Sequence, residues 1–321
     1  MTTISRLHDV TLFAPSNTAL EEPGVQQILQ DKNRVKDILN LHYVKERLPL
    51  EKIQNRSISQ KQLSGKAHGV PTAAHKKKLY FNVVQGPAGN QTITVEGGGV
   101  NATVVTANIA ATNGMIHIID RVLGVPYTTV YEKLMTDPML NSTFFLGQRG
   151  NFNDQLNDTK KRFTYFAPRD YAWMEANITY PSTIKKLFMP DFSYHTKQIL
   201  ERHLVISDQA YTMAKLKEMS NNGSVTLTSA RDVLKLDIRE PGQIRLDADK
   251  NDVYPVNFGY AIEWGGKWMS VFRHDVECTN GIIHVIDGVF LKDSDVRVTG
   301  GASLASFAPH LIIFLIAKWL L

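Results

Sequence analysis

The chain has 321 residues, of which 43% are hydrophobic, and its formal net charge is +5. This apolar content can fill two ordinary domain cores, so the chain is globular. The basic residues form short clusters rather than a long stripe interleaved with aromatic residues, which argues against a nucleic-acid-binding protein. The single cysteine, Cys278, can form no intrachain disulfide and no CxxC site, and we expect it to be a small buried residue.

The first repeated phrase comes early in the chain. The sequence TLFAPSNTA at Thr11 to Ala19 matches TYFAPRDYA at Thr164 to Ala172. Each copy predicts the end of a hydrophobic strand, followed by Ala-Pro and a helix that Asn17 or Asp170 caps.

A second pair of matched phrases follows each of these segments. LNLHYV at 39–44 corresponds to LERHLV at 200–205, with a histidine, His42 or His203, in the same place. Asp31 is a candidate cap for a helix that carries Val35, Ile38, Leu39 and His42 on one face. A histidine on an apolar face usually bonds a buried carbonyl or hydroxyl, so both histidines are first of all candidates for a packing role.

Strands are predicted next in both copies. The runs are 78–84, 91–96 and 100–106 in the first copy, and 225–228, 233–238, 244–246, 260–264 and 267–271 in the second. Gly265-Gly266 predicts a hairpin between the last two runs. Gly97 to Gly99 predicts a turn rather than a phosphate loop, because no Lys-Ser/Thr pair and no helix follow it.

The third phrase closes each copy. NGMIHIIDRVL at 113–123 matches NGIIHVIDGVF at 280–290. Asn-Gly tolerates positive φ and predicts a tight entry at Asn113 and Asn280 into a buried strand. We expect His117 and His284 to be buried, and Asp120 and Asp287 to accept turn amides. Residues three apart on a strand face opposite sides, so these His and Asp side chains do not form a catalytic pair.

The order of these motifs resembles the fasciclin domain family, over the whole chain to about Leu291. The resemblance implies an α+β fold of tandem fasciclin-type domains, each a β-wedge or sandwich flanked by helices, in extracellular and membrane-anchored adhesion proteins. The paired arrangement with an anchor-like tail is similar to the C-terminal domain pair of insect members. It implies no enzymatic activity, and we predict no cofactor and no metal site.

We divide the chain into a first repeat (1–126), a second repeat (127–294) and a tail (295–321). In the second repeat 129–163 precede the FAP phrase and include a predicted opening helix at 130–134, whereas the first repeat has only Met1 to Leu12 there. We therefore expect the first repeat to lack its N-terminal helices and the chain to be a fragment or an alternative start. The opening MTTISRLHDV also lacks the apolar run of a signal peptide.

Two further patterns indicate export and a lipid anchor. Asn-x-Ser/Thr acceptors exceed chance, which favours an exported glycoprotein; they are Asn55, Asn90, Asn101, Asn141, Asn157, Asn177 and Asn222. Small residues around Gly300 and Gly301, a spacer and the apolar run 311–321 match a glycosylphosphatidylinositol attachment signal. The alternative for the tail is an apolar helix that docks on the domain or a short membrane anchor.

These observations predict a cell-adhesion glycoprotein on the extracellular face of the plasma membrane, with other cell-surface proteins as partners, including a second copy. The family resemblance implies integrin engagement near His42 and Tyr43. The cluster Lys76, Lys77 and Lys78 is the candidate exposed basic site. One alternative is a matrix or sulfated-glycan-binding protein that uses these lysines. Another is an exported hydrolase, which would need a polar cleft holding a histidine bonded to Ser, Asp or Glu.

Overall fold

The computed structural model describes residues 8–56, 69–74, 77–86, 90–220, 223–240 and 259–296. Among these residues the helices are α1 Asn17–Leu20, α2 Pro23–Ile28, α3 Lys32–Leu41, α4 Leu50–Asn55, α5 Val130–Thr136, α6 Asn141–Arg149, α7 Asp170–Thr179, α8 Pro181–Leu187, α9 Ser193–Arg202 and α10 Met213–Ser220. Short 3-10 turns lie at Asn153–Asn157, Pro190–Phe192 and Asp293–Val296.

The strands follow the same order in both repeats. In the first they are β1 Val10–Pro15, β2 Tyr43–Val44, β3 Val70–Pro71, β4 Lys78–Gln85, β5 Gln91–Gly97, β6 Val100–Ala111 and β7 Gly114–Ile119. In the second they are β8 Arg162–Pro168, β9 Leu204–Ser207, β10 Ser224–Thr228, β11 Val233–Arg239, β12 Ala261–Trp264, β13 Lys267–Cys278 and β14 Gly281–Ile286. The predicted run 244–246 lies outside the described residues.

Each repeat builds its own seven-stranded sheet, in the orders β2-β1-β7-β6-β5-β4-β3 and β10-β11-β12-β13-β14-β8-β9. The pairs are antiparallel except for β1 with β7 and β8 with β14. A bridge between Val205 and Ser229 links the two ends of the second sheet, so that sheet is barrel-like. Mixed helix and strand content with helices flanking each sheet confirms the predicted α+β class.

The parallel pairs bring the repeated phrases together. The FAP strand lies beside the closing strand in each repeat, with Phe13 opposite His117 and Phe166 opposite His284. Phe13 packs with residues of β2, β4, β5 and β7 in the first core. The second repeat has two clusters, one under its helices and one around β10 to β12. The phrases are repeated because they form the central strands of each core.

The closing turn works by close approach rather than by positive φ. None of Asn113, Gly114, Asn280 and Gly281 has positive φ, so that part of the prediction is wrong. A Cβ on Gly114 would lie 2.0 Å from the carbonyl oxygen of Val10. The equivalent Cβ on Gly281 would lie 2.4 Å from the oxygen of Phe163. Glycine is needed because the parallel neighbour passes too near for any side chain.

Asn280 performs a second task that its turn position does not indicate. Its side chain is fully buried, and its Oδ1 accepts the Val130 amide at 2.8 Å while its Nδ2 donates to the Leu156 carbonyl at 2.9 Å. The closing turn is thereby bonded to the opening helix of the same repeat. That helix, α5, is confirmed, and it begins with a capping box between Thr129 and Glu132.

The helix predictions hold in part. Asp31 caps α3 as predicted, by accepting the amides of Asn33 and Arg34. Ser16, not Asn17, caps α1, and Asp170 lies inside α7, where it accepts the Ser142 amide. The exact cap position depends on where the chain leaves the strand. A polar residue on either side of that point can cap the helix, so the sequence determines the cap only to within a residue.

Leu39 does not lie on the buried face of α3. It is 51% exposed, whereas its counterpart Leu200 is fully buried in the cluster that includes Leu134 of α5 and Leu146 of α6. The described residues of the first repeat place no helix ahead of β1, so Leu39 has no equivalent cover there. The described part of the chain contains no helix with the length and apolar character needed to cross a membrane.

We predict that Gly114→Ala destabilises the first repeat by about 2 kcal/mol or more, because the added methyl overlaps the Val10 carbonyl. Gly24→Ala is the matched control, since its Cβ would meet only Val125 at 3.9 Å. This control lies inside α2, where alanine is the better helix former. Urea unfolding followed by circular dichroism measures both changes. Equal midpoints for the two variants would contradict the close-approach explanation.

Candidate functional site at the boundary between the repeats

The repeated histidines of the closing strands support the backbone on which the site is built. His284 Nδ1 accepts the Asp275 amide at 3.2 Å and Nε2 donates to the Tyr211 carbonyl at 2.9 Å. Asp275 has φ 53° and sits at a register shift in β13. The bonded amide holds this bulge, which sets which residues of β13 face the other repeat.

His117 makes the equivalent pair of bonds in the first repeat. Its Nδ1 accepts the Asn108 amide at 3.2 Å and its Nε2 donates to the Leu48 carbonyl at 2.8 Å. Asn108 has φ 59°, matching Asp275. Burial lowers the pKa of both histidines, which keeps the rings neutral and able to accept an amide.

His42 and His203 fasten the end of a helix to the segment after the closing strand. Each Nδ1 donates to a carbonyl one turn back, of Ile38 or Ile199, at 2.7 and 2.8 Å. Each Nε2 accepts an amide from that following segment. His42 is only 2% exposed, so its ring bonds the backbone of its own repeat.

The aspartates of the closing strands have two different partners. The Asp120 carboxylate, directly after β7, accepts the backbone amide of Thr103 in β6 at 2.6 Å, which is a strand amide rather than the expected turn amide. Asp287 does not accept a turn amide; it pairs with the buried guanidinium of Arg169. That guanidinium also lies 4.1 Å from the Phe272 ring centroid. Burial raises the pKa of Asp287, and the arginine opposes that shift.

Four buried charges join the two repeats. Arg273 of β13 donates to Glu96 of β5 at 3.1 Å and also to Asp137, which follows α5. Lys133 of α5 lies 3.9 Å from Glu96 and 3.7 Å from Asp137. All four are at most 6% exposed. We call Glu96, Lys133, Asp137 and Arg273 the boundary cluster.

The boundary cluster is neutral as a group, which is why it can be buried. Burial alone would raise the pKa of Asp137, but the charges of Arg273 and Lys133 and the Met139 amide hold it below its ordinary value. Burial disfavours the charged form of Arg273, yet Asp137 and Glu96 raise its pKa. Loss of any one charge would leave an opposite charge without compensation in a dry environment.

A glycine turn brings the first repeat into contact with the second. Gly98 and Gly99 connect β5 to β6 with φ 59° and 89°, which confirms the predicted turn. A Cβ on Gly99 would lie 2.2 Å from the Glu277 carbonyl oxygen of β13. Gly99 therefore allows backbone to pack against backbone across the boundary, a role that a turn motif does not reveal.

A small cleft opens beside the cluster. Tyr80 forms one wall, donates to the Phe272 carbonyl at 3.0 Å, and packs its ring against the Phe272 ring. Lys77, Lys78, Gly98, Gly99 and residues 271–276 complete the lining. Cations and anions alternate around it, so the cleft has no single charge preference.

The two described lysines of the predicted basic cluster are not fully exposed. Lys77 is half-buried with Nζ 4.0 Å from the Glu277 carboxylate, and Lys78 is half-buried with a pKa that burial lowers. Lys76 lies outside the described residues. Tyr43 is half-buried in β2, where it pairs with Leu12. The structure therefore places Lys77 and Lys78 at the repeat boundary, and it does not bring them together with His42 into one site.

The glycosylation acceptors differ in accessibility. Asn55, Asn90, Asn141, Asn157 and Asn177 are exposed. Asn101 is half-buried, and its Oδ1 accepts the Lys133 ammonium at 3.2 Å beside the boundary cluster. Asn222, Gly300 and Gly301 lie outside the described residues.

One histidine in the cleft lining meets the criterion set for a hydrolase. His274 Nδ1 lies 2.8 Å from Asp275 Oδ2, and both residues line the cleft. The carboxylate is used structurally, however, because its other oxygen accepts the Met213 amide at the start of α10 at 2.8 Å. The pair therefore anchors the bulge of β13 to a helix. Among the described residues, no group of three His, Cys, Asp or Glu side chains is placed to hold a metal ion.

The family model for the Fasciclin domain matches residues 1–126 and 138–292. The chain belongs to the Fasciclin domain family. It is 50% identical to Fasciclin-1 of Schistocerca americana over 326 residues and 47% identical to Fasciclin-1 of Drosophila melanogaster over 323 residues, covering 99% of this chain in each case. The chain spans about half the length of these relatives, 46% of each.

A solved structure shows the same arrangement of fasciclin domains. The FAS1 domain pair from the insect cell adhesion molecule fasciclin I aligns with a TM-score of 0.80 and 48% identity, covering 92% of both chains. The tandem fold expected from the repeated phrases is therefore confirmed, together with the likeness to insect members.

We predict that Arg273→Ala destabilises the fasciclin domain pair by about 3–5 kcal/mol, because it leaves Glu96 and Asp137 buried with only Lys133 to neutralise them. Lys215→Ala is the control, since it removes an ion pair with Glu218 that is open to solvent and should cost about 1 kcal/mol or less. Thermal and urea unfolding report both changes. An Arg273→Ala protein as stable as the control would show that the boundary cluster does not join the domains.

We predict that the pair loses stability as the pH falls from 7 to 5. Burial lowers the pKa of His203 to about 3, so below pH 6.5 the unfolded chain binds a proton that the folded chain excludes. At pH 5 this histidine alone should lower the free energy of unfolding by about 2 kcal/mol. Urea midpoints at both pH values measure the loss. His203→Asn should show a smaller loss than the parent protein, and an equal loss in both would refute the assignment.

Proposed function

We propose that this protein is a cell-surface adhesion glycoprotein whose fasciclin domain pair binds other proteins through its outer faces. The observation that carries the proposal is the match over 92% of both chains to a domain pair from an insect cell adhesion molecule. The bonding of the buried polar side chains supports a binding role rather than catalysis. The polar groups that occur in both repeats, namely the histidines, Asp120 and Asp287, are bonded to backbone or to Arg169 inside the domains.

The acceptor asparagines support an extracellular location. Five of them are exposed in the folded pair, where attached glycans would meet solvent. Asn101 is the exception, because its carbonyl oxygen is bonded to Lys133 next to the buried boundary cluster. We therefore propose that glycans occupy the exposed positions in preference to Asn101.

The composition of the tail supports a lipid tether to the outer leaflet. Gly300 and Gly301 lie in a run of small residues ahead of the apolar segment 311–321, the arrangement of a lipid-attachment signal. A tether would hold the pair at the membrane while leaving both fasciclin domains outside the cell.

The partner of the adhesive face is proposed to be a protein, including a second copy or an integrin, rather than a sulfated glycan. A glycan site at Lys76, Lys77 and Lys78 would need free cationic groups. Glu277 lies 4.0 Å from the Lys77 ammonium, and Lys78 is half-buried. Around Tyr43, the phenol ring is half-buried and accessible in part, while His42 acts from beneath by bonding Ile38 and Leu123.

We predict that nonadhesive cells cluster when they display the chain behind a secretion leader. Cells that display an unrelated globular domain on the same tail are the control. Tyr43→Ala should reduce clustering if this face makes contact, whereas Ile178→Ala removes a side chain that is 70% exposed elsewhere and should not. Absence of clustering with cells of the same or a second type, despite verified surface display, would contradict the adhesion proposal.

A further inference from the structure

We propose that one corner of the second fasciclin domain rests on the phospholipid surface to which the chain is tethered. The corner comprises residues 185–197, KKLFMPDFSYHTK, where α8 ends and α9 begins. The inference rests on the lipid tether of the proposed function, and it adds a second, noncovalent contact that would fix the orientation of the pair. We call these residues the α8–α9 corner.

The α8–α9 corner is held in one shape. Thr196 Oγ1 donates to the Leu187 carbonyl at 2.9 Å, which bonds the start of α9 to the end of α8. The Arg149 guanidinium of α6 donates to the Phe188 carbonyl. The Phe188 ring packs edge-on against the buried Trp173 ring, with centroids 6.3 Å apart. Side chains that project from such a corner are positioned before any partner arrives, so less entropy is lost on binding.

Two large side chains project from this rigid corner into solvent. Met189 is 41% exposed and Tyr194 is 65% exposed. Aromatic residues with a polar end are favoured at the boundary between lipid headgroups and hydrocarbon, because the ring leaves water while the hydroxyl remains hydrated. An apolar side chain such as that of Met189 gains by burial at the same depth.

The charges of the corner suit lipid phosphates. It contains three lysines, at 185, 186 and 197, against one aspartate, Asp191. Lys186 Nζ lies 6.0 Å above the Phe192 ring, so an ammonium accompanies the aromatic surface. Lysines of this kind extend their charged ends to headgroup phosphates while their methylene stems remain on apolar surface.

The end of the described chain lies against the same helices. The 3-10 turn Asp293–Val296 packs on α8 and α9, and Asp295 pairs with Arg202 of α9 at 2.7 Å. From Val296 to a lipid attached at Gly301 is five residues, which span at most about 18 Å. A tether this short keeps Val296, and with it the helices α8 and α9 on which its turn packs, within about 18 Å of the attached lipid. The nearest acceptor asparagines, Asn141 and Asn177, lie on α6 and α7 and leave the corner itself without a glycan site.

The test places a fluorescent probe on the corner of the intact lipid-linked protein. Met189→Cys, labelled with an environment-sensitive dye, is compared with Val84→Cys, a control position on β4 of the first repeat that is 49% exposed. Cys278 is buried and burial raises its pKa to about 12, so the native thiol does not compete for the dye. The purified proteins are reconstituted into phosphatidylcholine vesicles, with and without phosphatidylserine and doxyl-labelled lipid.

We expect a several-fold rise in emission at position 189, quenched by doxyl lipid, and no change at position 84. Tyr194→Glu should abolish the rise while the protein remains on the vesicles. Retained protein whose probe at 189 behaves like that at 84 would overturn the lipid contact and leave the tether standing. A rise seen only when membrane proteins are added would identify a protein partner and also overturn it. If phosphatidylinositol-specific phospholipase does not release the chain from cells and vesicles do not retain it, the tether and the lipid contact are both refuted.

Discussion

Burial of two positive and two negative side chains between the repeats is the constraint on which the rest of the pair depends. Glu96 comes from the first sheet, and Lys133, Asp137 and Arg273 come from the second repeat. None of these charges can be buried without an opposite charge beside it, because the cost of removing an ion from water is several kcal/mol. Separation of the repeats would remove the partners of Glu96 and would leave Arg273 and Lys133 with Asp137 as their only anion in the cluster.

Several features of each domain serve that contact. The bulge in β13, held by His284, determines that Arg273 faces inward, and the glycine turn after β5 allows Glu96 to approach it. The same bulge exists in the first repeat at Asn108, whose amide is bonded to His117. The repeated histidine therefore holds the bulge in both repeats. In the second repeat the bulged strand also carries the charged side chain of Arg273.

Much of the fold could be predicted from the sequence, because the central strands are dense in β-branched residues and are repeated almost letter for letter. Local signals such as the Asp31 cap, the opening helix at 130–134 and the Gly265-Gly266 hairpin also translate directly into structure. Predictions failed where a residue's neighbour is distant in the chain. Leu39 fits a helical face, but whether it is buried depends on helices such as α5 and α6, which cover its counterpart Leu200 in the other repeat.

The boundary cluster could not be predicted for the same reason. Glu96 and Arg273 are separated by 177 positions, and each alone looks like an ordinary solvated charge. Gly97 to Gly99 indicated a turn but not the Glu277 backbone that Gly99 approaches. Lys77 was expected to be exposed because its partner Glu277 lies in the other domain. A repeat pattern identifies two similar domains, whereas their contact uses residues in which the two copies differ.

The distance between the two domains in solution tests this account most directly. Spin labels at Asn55→Cys and Val233→Cys, one on each repeat and both exposed, avoid the buried Cys278. If the boundary cluster holds the pair together, pulsed dipolar spectroscopy should give one narrow distance distribution that changes little with added salt, since buried ion pairs are poorly screened. A broad distribution, or one that widens as salt is raised, would show that the two domains move independently and that the buried charges do not hold them.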